Sequence, residues 1–96
     1  MSDISAKAQK SVQGTIAVTA ASIMTKIGKR HLVLVNTGLN TAYIRLNDSA
    51  LATVSDFPLG AGKAIAMDSD EGSILYSVSA ICSGALATTI TYLAWN

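Results

Sequence analysis

From Ser73 to Ser83 the chain changes sides at every step: Ile74, Tyr76, Val78, Ala80 and Cys82 hold the even positions, while Ser73, Ser77, Ser79 and Ser83 hold odd ones. A two-residue period marks a strand with one face buried and one wet. It decides the reading where a helix is most tempting. Gly72 to Asn96 carries no charge in 25 positions, about the length that spans a bilayer. Yet Ser73, Ser77, Ser79, Ser83, Thr88, Thr89 and Thr91 are polar, Gly84 interrupts the run, and no Lys or Arg follows it. Strands are expected there, and a small membrane protein is kept only as a third reading.

The same pattern recurs upstream. Val12, Gly14, Ile16, Val18 and Ala20 share one parity, with Gln13, Thr15 and Thr19 on the other. His31-Leu32-Val33-Leu34-Val35 is apolar on both parities, as a strand covered on both sides would be, and Asn36-Thr37-Gly38 ends it. Ala42 to Asn47 alternates cleanly, Lys63 to Met67 is a shorter strand between turn residues, and Thr88 to Trp95 is rich in β-formers. The expectation is an all-β fold: one small antiparallel β-sandwich, or a Greek-key or jelly-roll-like barrel, of about seven short strands. Residues 1–11 lack strand periodicity and read as an N-terminal arm, leaving 12–96 as the sandwich domain. The longest connection, Asp48 to Gly62, contains Ala50, Leu51, Val54 and Phe57, which are expected to pack down.

A chain of 96 residues has room for one domain with a thin core. Fifteen alanines against five aromatic residues make that core weaker still, because small side chains bury little area. Association of copies is the natural remedy, and a closed homo-oligomer, a trimer, is expected. Tyr92, Leu93 and Trp95 are the expected oligomer contacts. The single Cys82 excludes an internal disulfide. Asp3 stands where a signal peptide wants positive charge, so no targeting segment is read and synthesis in a reducing cytoplasm is expected.

The search for chemistry finds near misses. His31 is the one histidine, in an apolar strand, and Cys82 lies on a buried parity where a thiol is a small hydrophobe with a raised pKa. Gly60-Ala61-Gly62-Lys63-Ala64 lacks the first glycine of a phosphate loop and the hydroxyl after lysine. Asp68-Ser69-Asp70-Glu71 falls short of a calcium loop and reads as a solvated turn. Asn47-Asp48-Ser49 is a sequon that would be idle without secretion. No catalytic residue, metal or cofactor is expected. A net charge of +1 offers no footprint for nucleic acid.

The charges that exist are unevenly spread along the chain. Residues 1–30 hold Lys7, Lys10, Lys26, Lys29 and Arg30 against Asp3, or +4; residues 31–96 hold Arg45 and Lys63 against five acids, or −3. A basic arm on an acidic body suits docking to a larger partner, and those five basic residues are the expected partner contacts.

Arg30-His31-Leu32-Val33-Leu34-Val35-Asn36-Thr37-Gly38, Asn40 to Leu46, Phe57-Pro58-Leu59-Gly60-Ala61-Gly62, Ile74 to Ala80 and the closing Tyr92-Leu93-Ala94-Trp95 together resemble the small β-sandwich virion proteins of tailed bacteriophages. The resemblance covers residues 30 to 95 and is one of strands and turns. It implies a non-enzymatic capsid decoration or cement protein, or a head-fibre or tail accessory module, assembled on itself and on a major capsid or tail protein in the virion. The alternative is a receptor- or glycan-binding module of a tail or head fibre, gripping a sugar with Tyr43, Tyr76 or Trp95.

Overall fold

A computed structural model of the chain describes residues 11–68 and 76–95. The expected arm, with Lys7 and Lys10, lies outside them, as does the Ser69-Asp70-Glu71 part of the acidic turn. Eight strands follow in order: β1 (Val12–Val18), β2 (Ile23–Lys26), β3 (His31–Asn36), β4 (Ala42–Leu46), β5 (Phe57–Leu59), β6 (Ala64–Asp68), β7 (Ser77–Ile81) and β8 (Thr88–Trp95). The described residues contain no helix, and so none long and apolar enough to cross a membrane. The count exceeds seven because β2 and β5 are too short for a period to show, and β5 also contains Pro58.

All pairing is antiparallel. One sheet has the order β1-β8-β3-β6 and the other β2-β7-β4-β5, so every connection except β4–β5 crosses between sheets. This is the eight-stranded jelly roll, in which two Greek keys wrap two facing sheets. For brevity the first is called sheet A and the second sheet B.

Alternation supplies the inner faces. Ile16, Val18, Leu32, Leu34, Ile90 and Ala94 of sheet A meet Ala42, Ile44, Leu59, Val78 and Ala80 of sheet B, with Cys82 just past β7. Each fully buried Leu or Ile contributes about 2 kcal/mol, while the alanines let the sheets approach. Tyr92 points inward over Gly14, its cross-strand partner. A Cβ at Gly14 would stand 2.7 Å from the Tyr92 hydroxyl, so glycine is what makes room for the ring.

One polar residue sits at the centre of this packing. Asn36, fully buried, donates from Nδ2 to the carbonyls of Asn40 and Leu59, both at 2.8 Å. Its Oδ1 accepts from the Thr88 hydroxyl at 2.7 Å and the Gly38 N–H at 3.1 Å. The side chain is satisfied and ties β3 to β8 in its own sheet and to the β4 and β5 approaches in the other. Gly38 is obligatory beside it, since a Cβ there would lie 2.7 Å from the Thr89 backbone nitrogen.

Candidate functional site

The interior offers little for chemistry. A cleft of about 390 Å³ opens between the edges of the two sheets, lined by Ile44, Leu46, Phe57, Ile65 and Met67, with no polar side chain among them. Among the described residues no three His, Cys, Asp or Glu side chains gather where they could hold a metal. Cys82 is buried, and that burial pushes its thiol pKa up; the S–H donates to the Thr41 carbonyl at 3.4 Å. His31 faces outward and stacks on Trp95, with ring centroids 5.3 Å apart. Gly60 to Lys63 is a tight turn between β5 and β6, closed by Lys63 N–H to the Gly60 carbonyl at 3.0 Å.

The outer face of sheet B is partly covered by the chain itself, over Ser79 and Arg45. Residues 47–56 fold across it as a strap. Ser79 stands at an outward position of β7 and is nonetheless 1% exposed, because its Oγ accepts the Ala52 N–H at 2.7 Å and shares a hydrogen bond with Ser22 at 3.1 Å. Arg45, outward on β4, makes a bidentate pair with Asp56, from Nε at 3.1 Å and Nη2 at 3.0 Å, and lies 3.7 Å from Asp48. Asp56 also accepts the Thr53 N–H at 2.7 Å. That backbone bond, followed by the one from Arg45, holds its carboxyl below the ordinary range, and Arg45 is raised in turn by its bond to Asp56. The strap is thus fastened by polar contacts. Leu51, Val54 and Phe57 do not pack down as expected but remain about half exposed, and only Ala52 of the strap is buried.

Among the described residues, no segment crosses the outer face of sheet A. Its outward positions are Gln13, Thr15 and Ala17 on β1, Thr89, Thr91, Leu93 and Trp95 on β8, His31, Val33 and Val35 on β3, and Ala64, Ala66 and Asp68 on β6. Asp68, the last residue of the edge strand, is the one charged residue among these positions. Leu93 is 40% exposed, and a hollow of about 350 Å³ opens beside Trp95, Val33, Ala66 and Met67. Four strands about 4.8 Å apart with some six residues each give about 400 Å² of continuous face, whose apolar part is formed by Val33, Val35, Leu93 and Trp95.

Charge is segregated by end. The register puts the start of β3 beside the ends of β6 and β8, and the start of β7 beside the ends of β2 and β4. Lys26, Lys29, Arg30, Arg45, Asp48, Asp56 and Asp68 all fall at that end by position; Lys63, in the β5–β6 turn, is the described charge at the other. The far end instead presents Leu39, 92% exposed, and Leu86. Among the described residues, Lys26, Lys29 and Arg30 therefore share one end of the barrel with Asp48, Asp56 and Asp68.

Of the expected contact residues, Lys26 and Arg30 are exposed and Lys29 half-buried, in or beside the β2–β3 connection. Leu93 and Trp95 lie on the outer face of sheet A, whereas Tyr92 turns into the core. Of the aromatic residues offered for sugar, Tyr76 is buried, while Tyr43 lies on the outer side of sheet B and Trp95 on that of sheet A. Sequence reasoning missed Asn36, Ser79 and the Arg45–Asp56 pair. Asn36 read as a turn residue and Ser79 as a wet-face residue, and no local signal marks their distant partners.

No family model matches the sequence, and no curated protein matches it. Solved structures do. The chain is similar to the plu4264 protein from Photorhabdus luminescens (13% identity, TM-score 0.58, covering 91% of this chain and 63% of that one). It is also similar to a cupin-2 domain containing protein from Shewanella frigidimarina (10%, TM-score 0.54, 91% and 72%). A de novo designed double-stranded β-helix matches over 90% of this chain and 97% of its own, at 9% identity and TM-score 0.50. The chain thus spans less than two-thirds of the first of these. At such identities the likeness is one of fold, the double-stranded β-helix that the strand order above describes.

Proposed function

We propose that this protein is a non-enzymatic structural component of a bacteriophage virion, a capsid decoration protein that acts through its surfaces and meets copies of itself. The observation that carries the reading is the outer face of sheet A, which has one charge at its edge and no covering segment among the described residues, on a molecule whose interior is mostly apolar. Jelly rolls recur in viral capsid and lectin domains as well as cupins, and the resemblance of residues 30 to 95 to small virion proteins selects among these uses. In this reading the face around Val33, Leu93 and Trp95 makes the apolar contact. Lys26, Lys29 and Arg30 at the charged end supply electrostatic steering toward an acidic shell. Residues 1–11, with Lys7 and Lys10, add to that steering, and a trimer is the assembly that composition suggests. Cryo-electron microscopy of virions of the phage that carries this gene tests it. Density for this chain on the shell, with sheet A against neighbouring protein, is expected; its absence from the particle would overturn the proposal.

A further inference from the structure

Two open sheets have four edges, here β1, β6, β2 and β5. An edge strand presents a row of N–H and C=O groups ready to pair with another extended chain, and proteins blunt such rows with short strands, charge or proline. Three of these edges are blunted. β5 has three residues and Pro58, which has no N–H to give. β2 has four residues and ends on Lys26, and β6 has five and ends on Asp68. β1 is different: seven residues, Val-Gln-Gly-Thr-Ile-Ala-Val, with no charge, no proline and an unbroken seven-residue ladder to β8 on its inner side. Among the described residues no strand lies on its outer side.

The chemistry of that row names its occupant as an extended backbone, and the side chains point to a second copy. We infer that β1 is a self-association seam, pairing antiparallel with β1 of another copy about a two-fold axis at Thr15. Thr15 is the middle residue of the strand. Pairing centred there sets Thr15 opposite its own copy, Gln13 opposite Ala17, Gly14 opposite Ile16 and Val12 opposite Val18. Every pair keeps its parity, so inward residues stay inward and Thr meets Thr, a favourable cross-strand pair, with no charge opposed. The two outer faces of sheet A become one eight-stranded face, doubling about 400 Å² to about 800 Å² of surface that remains open to a further partner. The inference rests on the proposed role only in that the chain meets its own copies, and it assigns two chains where composition suggests three.

Cysteine at the dyad tests the geometry. Residues opposed across an antiparallel pair have Cα atoms about 4.5–5.5 Å apart, within disulfide reach, and Cys82 is buried and does not compete. Mild oxidation of Thr15→Cys should give a covalent dimer, while Ala17→Cys, two positions off the dyad, should stay single. By light scattering the wild type should weigh twice 9.9 kDa. Thr15→Lys, at an exposed position that leaves the fold intact, should weigh one chain with an unchanged circular dichroism spectrum. Equal cross-linking of both cysteine variants overturns the seam, as does a Thr15→Lys protein that still assembles; in either case self-association by another surface survives. A wild type that remains one chain at all concentrations overturns both.

Discussion

The two sheets face each other across one core but meet the outside differently. Sheet B carries Ser79 and Arg45 on its outer side, and with them the chain fastens its own strap over that face. Sheet A carries Thr, Val, Ala, Leu93 and Trp95 there, and among the described residues no strap crosses it. The difference shows that outward parity in a strand says which side a residue takes and nothing about what covers it. A finished face needs polar groups placed to hold the covering segment; a face without them is available to another molecule.

The largest effect should come from the residue that serves both sheets alike. Asn36→Leu removes four hydrogen bonds and strands the buried Thr88 hydroxyl and the Leu59 carbonyl. A loss of about 3 kcal/mol or more is expected, seen as a fall in melting temperature felt by amides of both sheets. Loss confined to one sheet would show that the comparison divides the molecule more deeply than the packing suggests.

A pair of serine and threonine changes sharpens the contrast itself. Ser79→Val leaves the buried Ala52 N–H without its acceptor and should cost about 1–3 kcal/mol, with faster amide exchange in the strap. Thr91→Val on the outer side of sheet A removes only an exposed contact with the Thr37 hydroxyl at 3.0 Å and should fall within about 0.5 kcal/mol of wild type. Equal costs would break the comparison.

Acid should act on the strap through Asp56. Asp56 has a folded pKa below its ordinary value, so its stabilisation is fully present above the ordinary carboxylate range. It is lost as pH falls below about 4 and through the folded pKa. Amide resonances of Thr53 and Ala52 should move together in that window while Val33 and Leu93 stay still. In Asp56→Asn the strap resonances should no longer titrate with residue 56. Movement of sheet A in the same window would contradict a strap that is held separately.

Much of the framework was legible from alternation, apolar runs and β-forming composition. β3 and β4 could be read because their apolar residues fill both parities or one, and β8 because it is rich in β-forming residues. β2 and β5 could not, since four and three residues at sheet edges carry no period. The strap was misread for a physical reason: its apolar residues suggested burial, yet it is held by Ser79, 27 positions from Ala52, and by Arg45. Among the described residues, basic charges from the first 30 positions and acidic charges from later ones lie at one end, because the jelly roll returns the β2–β3 and β4–β5 connections there.

The central claim is that sheet A's outer face is the contact surface and sheet B's is not. Its most direct test is occupancy on virions lacking the native protein, comparing wild type, Val33→Lys/Leu93→Lys on sheet A and Tyr43→Lys on sheet B, with all three first shown to melt alike. Wild type and Tyr43→Lys should bind equally while the double variant is lost from the particle. Full occupancy by the double variant, or loss of Tyr43→Lys instead, would contradict the account.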